Sequence, residues 1–470
     1  MKPGISLSVI LSWLQRNWHI LAILGIILLL VRVRLTNDED FRLSIGTDET
    51  VSYISASHIP FGSWEFYTSM RPITLPIILK LVEPEQGYQL VVTSNPARVK
   101  NTYYRQTQQG FDRVVLTQLA FSILGWGALA ISVSRHLERP LLKVLSVALI
   151  LLFAFTQPVA DWDSVLDSFS LTFSLLALSY ALLIEIAFWF PRGYAHGKVK
   201  AVILIALWLV ATILFVFMRD TNQYILPVSA LFLLSLLLFR PMRLKVWPIV
   251  ILAFIVILVF GFGLFTARKS MRWKNPLLHA YEYFVFPHEG RVAYFKEAFN
   301  MPEPSSSEFG KWFDREAPQV YLFFLAESPR YVVSELYSNM ESFFSENKQP
   351  YFHGSKKANR FQMERVGNLL HPLSGTIFYA DLILLGGLCG ITLKTRASRP
   401  LTWLWLAGWW LLSASLILFV SYFFDTWGVI RHVVYSVQMY RLFFWLYLLV
   451  MVDMLLAVSI TFPDRKSNCT

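Results

Sequence analysis

The residues of this sequence best suited to chemistry lie in five short polar stretches between apolar runs. The first reads Gly46-Thr47-Asp48-Glu49-Thr50-Val51-Ser52-Tyr53, with adjacent carboxylates opening an amphipathic segment. Acids in a first helical turn ordinarily complement the helix dipole and cap the turn. A partly desolvated carboxylate can also act as a general base and take the proton of an attacking hydroxyl. The second stretch, Met70 to Leu81, places Arg71 and Lys80 around an apolar run broken by Pro72 and Pro76. That is the pattern of an interfacial segment with snorkelling cations. The third is Asp161-Trp162-Asp163, followed by Asp167 and Ser168, with three acids within seven residues. It fits a site, a metal or a solvated loop, and oxygen ligands without a fixed cage do not define a cation site. The fourth, Arg219-Asp220-Thr221-Asn222-Gln223-Tyr224, fits a sugar- or phosphate-binding turn, or an ion pair closing that turn. The fifth runs from Asp425 to Arg431-His432 and ends in Tyr440-Arg441. Arginine forks match phosphate oxygens, and the alternative is snorkelling among lipid headgroups. His288 and His353 are isolated, and Cys389 and Cys469 give neither a disulfide framework nor metal-ligand spacing.

The elements that must position these stretches are membrane helices. Hydrophobic residues make up 55% of the 470 residues, charged residues only 16%, and mean hydropathy is +0.49. Soluble domains carry roughly a quarter charged residues. Stretches long enough to cross the bilayer, which takes roughly 20 apolar residues each, are Trp18–Val31, Val114–Val133, Leu141–Thr156, Val165–Phe190, Val199–Met218, Tyr224–Phe239, Val246–Phe265, Leu373–Leu393, Leu401–Phe424 and Leu442–Phe462. The first reads as a signal anchor, since no small-residue cleavage site follows it. With the N-terminus inside, the inner connections 134–143, 191–200, 240–245 and 393–400 and the tail 463–470 are all short and rich in Lys or Arg. The acids Asp38, Glu39, Asp40, Asp48, Glu49, Asp161, Asp163, Asp167, Asp220 and Asp425 then all fall outside. This alternation obeys the positive-inside rule with both termini cytoplasmic. It also accounts for the net charge of +11 without nucleic acid. The expectation is an all-α polytopic membrane protein of about ten transmembrane helices. Residues 35–112 form a first external loop of interfacial helices, and residues 267–371 form a mainly helical external domain. Residues 1–266 make one transmembrane module, and 372–470 hold the last helices and a cytoplasmic tail.

The order of these features resembles the GT-C superfamily of membrane glycosyltransferases, which includes protein O-mannosyltransferases, lipid A aminoarabinose transferases and oligosaccharyltransferase catalytic subunits. The resemblance rests on the external Asp-Glu-x-x-x-Tyr after the first span, Arg-Pro-x-x-x-Pro-x-x-x-Lys-Leu, the acidic loop after the third span, the large external domain and the late Arg-His. It is strongest over residues 1–240. The Trp-Trp-Asp signature of oligosaccharyltransferases is missing, which argues against transfer to an Asn sequon. The resemblance implies an inverting enzyme that moves a sugar from a polyprenyl-phosphate donor to a hydroxyl of a glycan, lipid or protein acceptor. It places the catalytic centre at Asp48, with Glu49 as the other candidate base, and gives Asp161 or Asp163 a part in the site. It sets Arg431 and His432 near the donor phosphate, with Arg219 as a further cation. Arg71, Asp220 and Arg441 complete the candidate donor-binding set. No cofactor is implied, and a divalent metal only if the donor is a diphosphate. The implied location is a bacterial inner (plasma) membrane with the site facing the periplasm. Competing readings are a polysaccharide polymerase or ligase, and a transporter or flippase. The latter would need ionisable residues at mid-membrane depth, where the sequence offers chiefly Glu185 and Asp453.

The charge alternation makes a direct prediction. A cysteine introduced by Ser306→Cys should react with an impermeant thiol reagent added outside intact cells, and one introduced by Ala195→Cys should not. The reverse pattern overturns the topology.

Overall fold

The computed structural model of the chain describes residues 7–37, 43–91, 105–189, 198–238, 246–346, 348–352, 358–395, 397–425 and 429–460. Among them the protein is an all-α polytopic membrane protein. Nine helices are long and apolar enough to cross a membrane, and a bent pair makes a tenth. The long helices are α1 (Leu7–Asn37), α5 (Asp112–His136), α6 (Pro140–Phe155), α8 (Phe169–Trp189), α9 (Lys198–Val216), α10 (Ile225–Ser235), α11 (Val246–Lys269), α18 (Thr376–Thr395), α19 (Ser398–Phe424) and α20 (Val429–Ile460). Helix α6 is the first limb of the bent span; Thr156 takes extended backbone, and the chain turns 52° into α7 (Gln157–Ala160). Pro158 in that second limb cannot donate the hydrogen bond that would continue the first. Helices α5 and α8 pack almost backbone to backbone, and Gly125 permits it: a Cβ there would lie 2.2 Å from the Ser174 carbonyl oxygen.

Shorter helices fill the two long connections. The first connection holds α2 (Asp48–Ser57), α3 (Trp64–Tyr67) and α4 (Thr74–Val82), with a two-stranded antiparallel pair of β1 (Leu43–Ser44) and β2 (Gln106–Thr107). The connection after α11 holds α12 (Lys274–Phe284), α13 (Glu289–Phe299), α14 (Ser307–Arg315), α15 (Ala317–Glu327), α16 (Pro329–Phe344) and α17 (Ala358–Leu370). An aromatic cluster of Tyr281, Phe295, Phe309, Trp312, Phe313, Tyr321 and Phe324 forms its core.

The two ends of the bundle carry different charge networks. At one end Asp453 of α20 accepts the backbone N–H groups of Glu138 and Arg139 at 2.9 and 3.0 Å and pairs with Arg399, which also reaches Glu138 at 2.6 Å. Glu185 lies 3.5 Å from both Arg135 and His136 at the same end of α5. The two acids that could have marked a transport path are therefore partnered at helix ends. The other end gathers the connections after α1, α6, α9, α11 and α19.

Several spans differ from their sequence limits, and the first helix starts at Leu7 rather than Trp18. The fourth begins at Phe169 rather than Val165, because Asp161–Ser164 form a tight 3-10 turn. Helix α20 begins at Val429, thirteen residues ahead of the expected Leu442. A charge-free window excludes Arg431, His432 and Arg441 from a span, whereas the folded helix keeps them by giving each a partner.

Candidate functional site

The site is built by pairing the first and second connections. Ile45 donates its N–H to Ser164 O at 2.9 Å and accepts from Leu166 N at 3.0 Å, so one residue bridges in parallel to Val165. Two residues on, a capping box starts α2: Thr47 N donates to Thr50 Oγ1 at 2.9 Å and Thr50 N to Thr47 Oγ1 at 3.4 Å. The Thr50 hydroxyl then donates to Leu166 O at 2.7 Å. The first turn of α2 is thereby fixed against residues 164–167, and its two acids part company. Asp48 is exposed, while Glu49 is partly buried and enters a cluster of cations.

Glu49 Oε1 receives Arg431 at 2.9 Å, and Oε2 receives Arg71 at 3.4 Å. Arg71 is steadied by the Ser52 hydroxyl at 2.6 Å and lies over the Tyr53 ring at 4.9 Å. Arg431 comes from the first turn of α20 and also donates to the Tyr351 hydroxyl at 2.9 Å. His432, beside it, contacts Asp425 at 2.8 Å and Arg219 at 2.9 Å through Nδ1, and Arg431 at 3.2 Å through Nε2. A proton on Nδ1 donates to Asp425 and leaves Nε2 to accept from Arg431; Arg219 then meets the same Asp425 charge from beside the ring. Arg219 also covers the face of Phe169 at 4.0 Å.

Burial alone would raise the Glu49 carboxyl, but Arg431, then Arg71 and Arg219, override it and hold the pKa at about 2. Asp425 is likewise brought below its ordinary value by His432 against the cost of burial. Asp167 goes the other way. It is buried, and desolvation lifts it to about 7 despite the Phe169 N–H that it accepts at 2.8 Å and the nearby charges of Arg219 and Arg431. Asp167 thus serves the start of α8 as a cap, yet titrates near neutrality beside a cationic cluster.

The other sequence candidates lie elsewhere. Asp163 is buried in an ion pair with Arg34 at 2.9 Å, with side-chain exposures of 3% and 4%, and it accepts from Ser170 at 2.6 Å. It joins α1 to the start of α8. Asp161 is half-buried at the head of the same turn. Asp220 holds Arg272 in a bidentate pair at 2.8 and 3.1 Å, and Arg272 reaches Ser69 O at 2.8 Å, which fixes the segment ahead of Arg71. Arg441 is not in the cluster. It is fully buried ten residues beyond Arg431, about 15 Å along the helix, and donates to the carbonyls of Pro372, Phe344 and Glu346. His353 and residues 426–428 lie outside the described residues. Among the described residues no group of three or more His, Cys, Asp and Glu is placed to hold a metal. Tyr351 had no signal in the sequence; it is one tyrosine in a long polar and aromatic stretch.

No family model matches the chain, and no curated protein matches it in sequence. Among solved structures it is similar to the archaeal oligosaccharyltransferase AglB from Archaeoglobus fulgidus in complex with an inhibitory peptide and a dolichol-phosphate, at 11% identity over 97% of this chain and 53% of that one, with a TM-score of 0.48. The apo form of the Archaeoglobus fulgidus enzyme gives 13% identity, 96% and 52% coverage and a TM-score of 0.47. The chain spans about half the length of these proteins.

The split roles of the acids are measurable. Asp163→Ala strands a buried guanidinium and should cost about 3 kcal/mol of stability. Asp48→Asn removes an exposed charge and should change stability by less than about 0.5 kcal/mol. Thermal unfolding of both variants in the same detergent checks this; equal losses would contradict the assignment.

Proposed function

We propose that the protein is a GT-C type glycosyltransferase that moves a sugar from a polyprenyl-phosphate donor to an acceptor hydroxyl on the outer side of the membrane, with inversion at the anomeric carbon. The observation that carries this reading is the convergence of Arg71, Arg219, Arg431 and His432, drawn from two connections and the first turn of α20, on one end of an apolar bundle beside an acid of near-neutral pKa. Arginine forks suit phosphate oxygens, and a prenyl tail stays in lipid while its head meets the cluster. The bond from the anomeric carbon to phosphate oxygen breaks, and its electron pair leaves on the phosphate. The acceptor oxygen attacks from the opposite face and loses its proton to a carboxylate. Phosphate needs no protonation to depart, so one base suffices.

Asp167 is assigned that base in place of Asp48. Asp48 is exposed outside the cluster, and Glu49, held at about 2, is a weak base already engaged by two arginines. A carboxylate near 7 balances availability against basicity at neutral pH. Arg431 and Arg219 take up the charge that grows on the departing phosphate. They supply what a divalent cation supplies to a diphosphate, so a monophosphate donor without a metal requirement fits this site. The bilayer, the lipid-linked donor and a glycan, lipid or protein acceptor are the partners in this reading.

The test is turnover of polyprenyl-phosphate sugars by the purified protein. Asp167 must be ionised to act, so turnover should rise as pH passes through about 7. Asp167→Asn should lower it about 10²–10⁴-fold and remove that pH step, with donor binding near the parental value. Arg431→Ala should weaken donor binding and slow turnover, and Arg431→Lys should restore only part, having the charge without the fork. Chelation with EDTA should leave turnover unchanged. An Asp167→Asn protein that is well folded and turns over at the parental rate overturns the role of Asp167.

A further inference from the structure

The connection after α11 reaches the cationic cluster through Tyr351, and Gln349 sets how it arrives there. Helix α16 ends at Phe344 and α17 begins at Ala358, so residues 348–352 have no helix to hold them. The buried Gln349 side chain takes over that task. Its Oε1 accepts the N–H groups of Tyr351 at 2.7 Å and Phe352 at 2.9 Å, and its Nε2 donates to Phe352 O at 2.6 Å. One amide thereby makes three hydrogen bonds to Tyr351 and Phe352 and closes a tight turn.

The turn is held from outside as well. The Tyr351 ring meets Trp162 edge-on at 6.1 Å, and Phe352 lies beneath the Arg105 guanidinium at 5.1 Å. Arg105 donates in turn to Ser164 at 2.9 Å. Arg441 fastens the chain just ahead of the segment through its bonds to Phe344 O and Glu346 O, and ties it to Pro372 O beyond α17. What this arrangement presents to the site is one hydroxyl. Tyr351 accepts from Arg431 through its oxygen, which leaves its own O–H free to donate. Burial keeps the phenol protonated, well above its ordinary range, even beside Arg431.

We propose that Gln349 is a positioning residue for donor recognition: its turn holds the Tyr351 hydroxyl on Arg431 so that the two together bind the phosphate of the lipid-linked donor. This rests on the reading of the site as a donor-phosphate site. Arg431 supplies charge and Tyr351 supplies a directed hydrogen bond, while Gln349 touches no substrate and acts only through Tyr351.

The probe is decaprenyl phosphate, titrated into the purified full-length protein in nanodiscs. Tyr351→Phe should weaken its binding about ten-fold, as expected for loss of one hydrogen bond to a charged group. Gln349→Ala should weaken it to a similar extent. The double variant should bind no more weakly than either single one, because both changes remove the same contact. Gln349→Glu keeps an acceptor for the Tyr351 and Phe352 N–H groups but sets a carboxylate oxygen against Phe352 O, so it should not recover the affinity. A general loosening of the fold would instead lower the thermal midpoint and multiply the losses in the double variant. Parental affinity in Gln349→Ala, or multiplied losses in the double, overturns the proposal while leaving the phosphate site in place. If the parent itself fails to bind decaprenyl phosphate, the donor-phosphate reading and this inference fall together.

Discussion

The ion pair between Glu49 and Arg431 is the contact on which the site depends. Arg431 stands in the first turn of the last membrane helix, where a lone guanidinium is costly. Glu49 stands in the first turn of the first short helix after α1. Joining them closes the ends of the sequence around one point and requires the first connection to lie flat against the second. The Ile45 bridge, the Thr47–Thr50 capping box and the Thr50 bond to Leu166 are the local devices that meet this requirement. Each is made by backbone or by a small hydroxyl, so the geometry is set before any long side chain reaches the cluster.

Around that pair the charges do not cancel. Arg71, Arg219 and Arg431 face Glu49 and Asp425, and Asp167 is lifted towards neutrality by its burial. The surplus is positive, which suits the anionic leaving group of the proposed donor. The remaining acids are spent elsewhere, Asp163 on Arg34 and Asp220 on Arg272. These pairs fix the walls of the site.

The apolar spans were legible because their signal is local: each is a run long enough to cross a bilayer, and all ten positions reappear as helices or as the bent pair. The alternation of charged connections also put Glu49, Arg71, Arg219, Arg431 and His432 on one end, where they lie together. What the sequence could not separate were residues of one type competing for different partners. Asp161, Asp163 and Asp167 look alike in a row, and only the arrival of Arg34 from α1 decides that Asp163 is an ion-pair partner. Asp48 and Glu49 differ by one step of helix, which turns one to solvent and the other to arginines. Arg441 read as a donor-binding cation because its partners are backbone carbonyls from segments far away in sequence. Tyr351 was invisible for the same reason: its role comes from a turn that Gln349 builds and from an arginine in another helix.

The proposed function stands on this cationic cluster binding the phosphate of a prenyl lipid. The most direct test is a cryo-electron microscopy structure of the protein in nanodiscs with decaprenyl phosphate. The phosphate is expected within hydrogen-bond distance of Arg431 and Arg219, with the Glu49–Arg431 contact opened to admit it. Lipid phosphate bound elsewhere, with that ion pair intact, would contradict it.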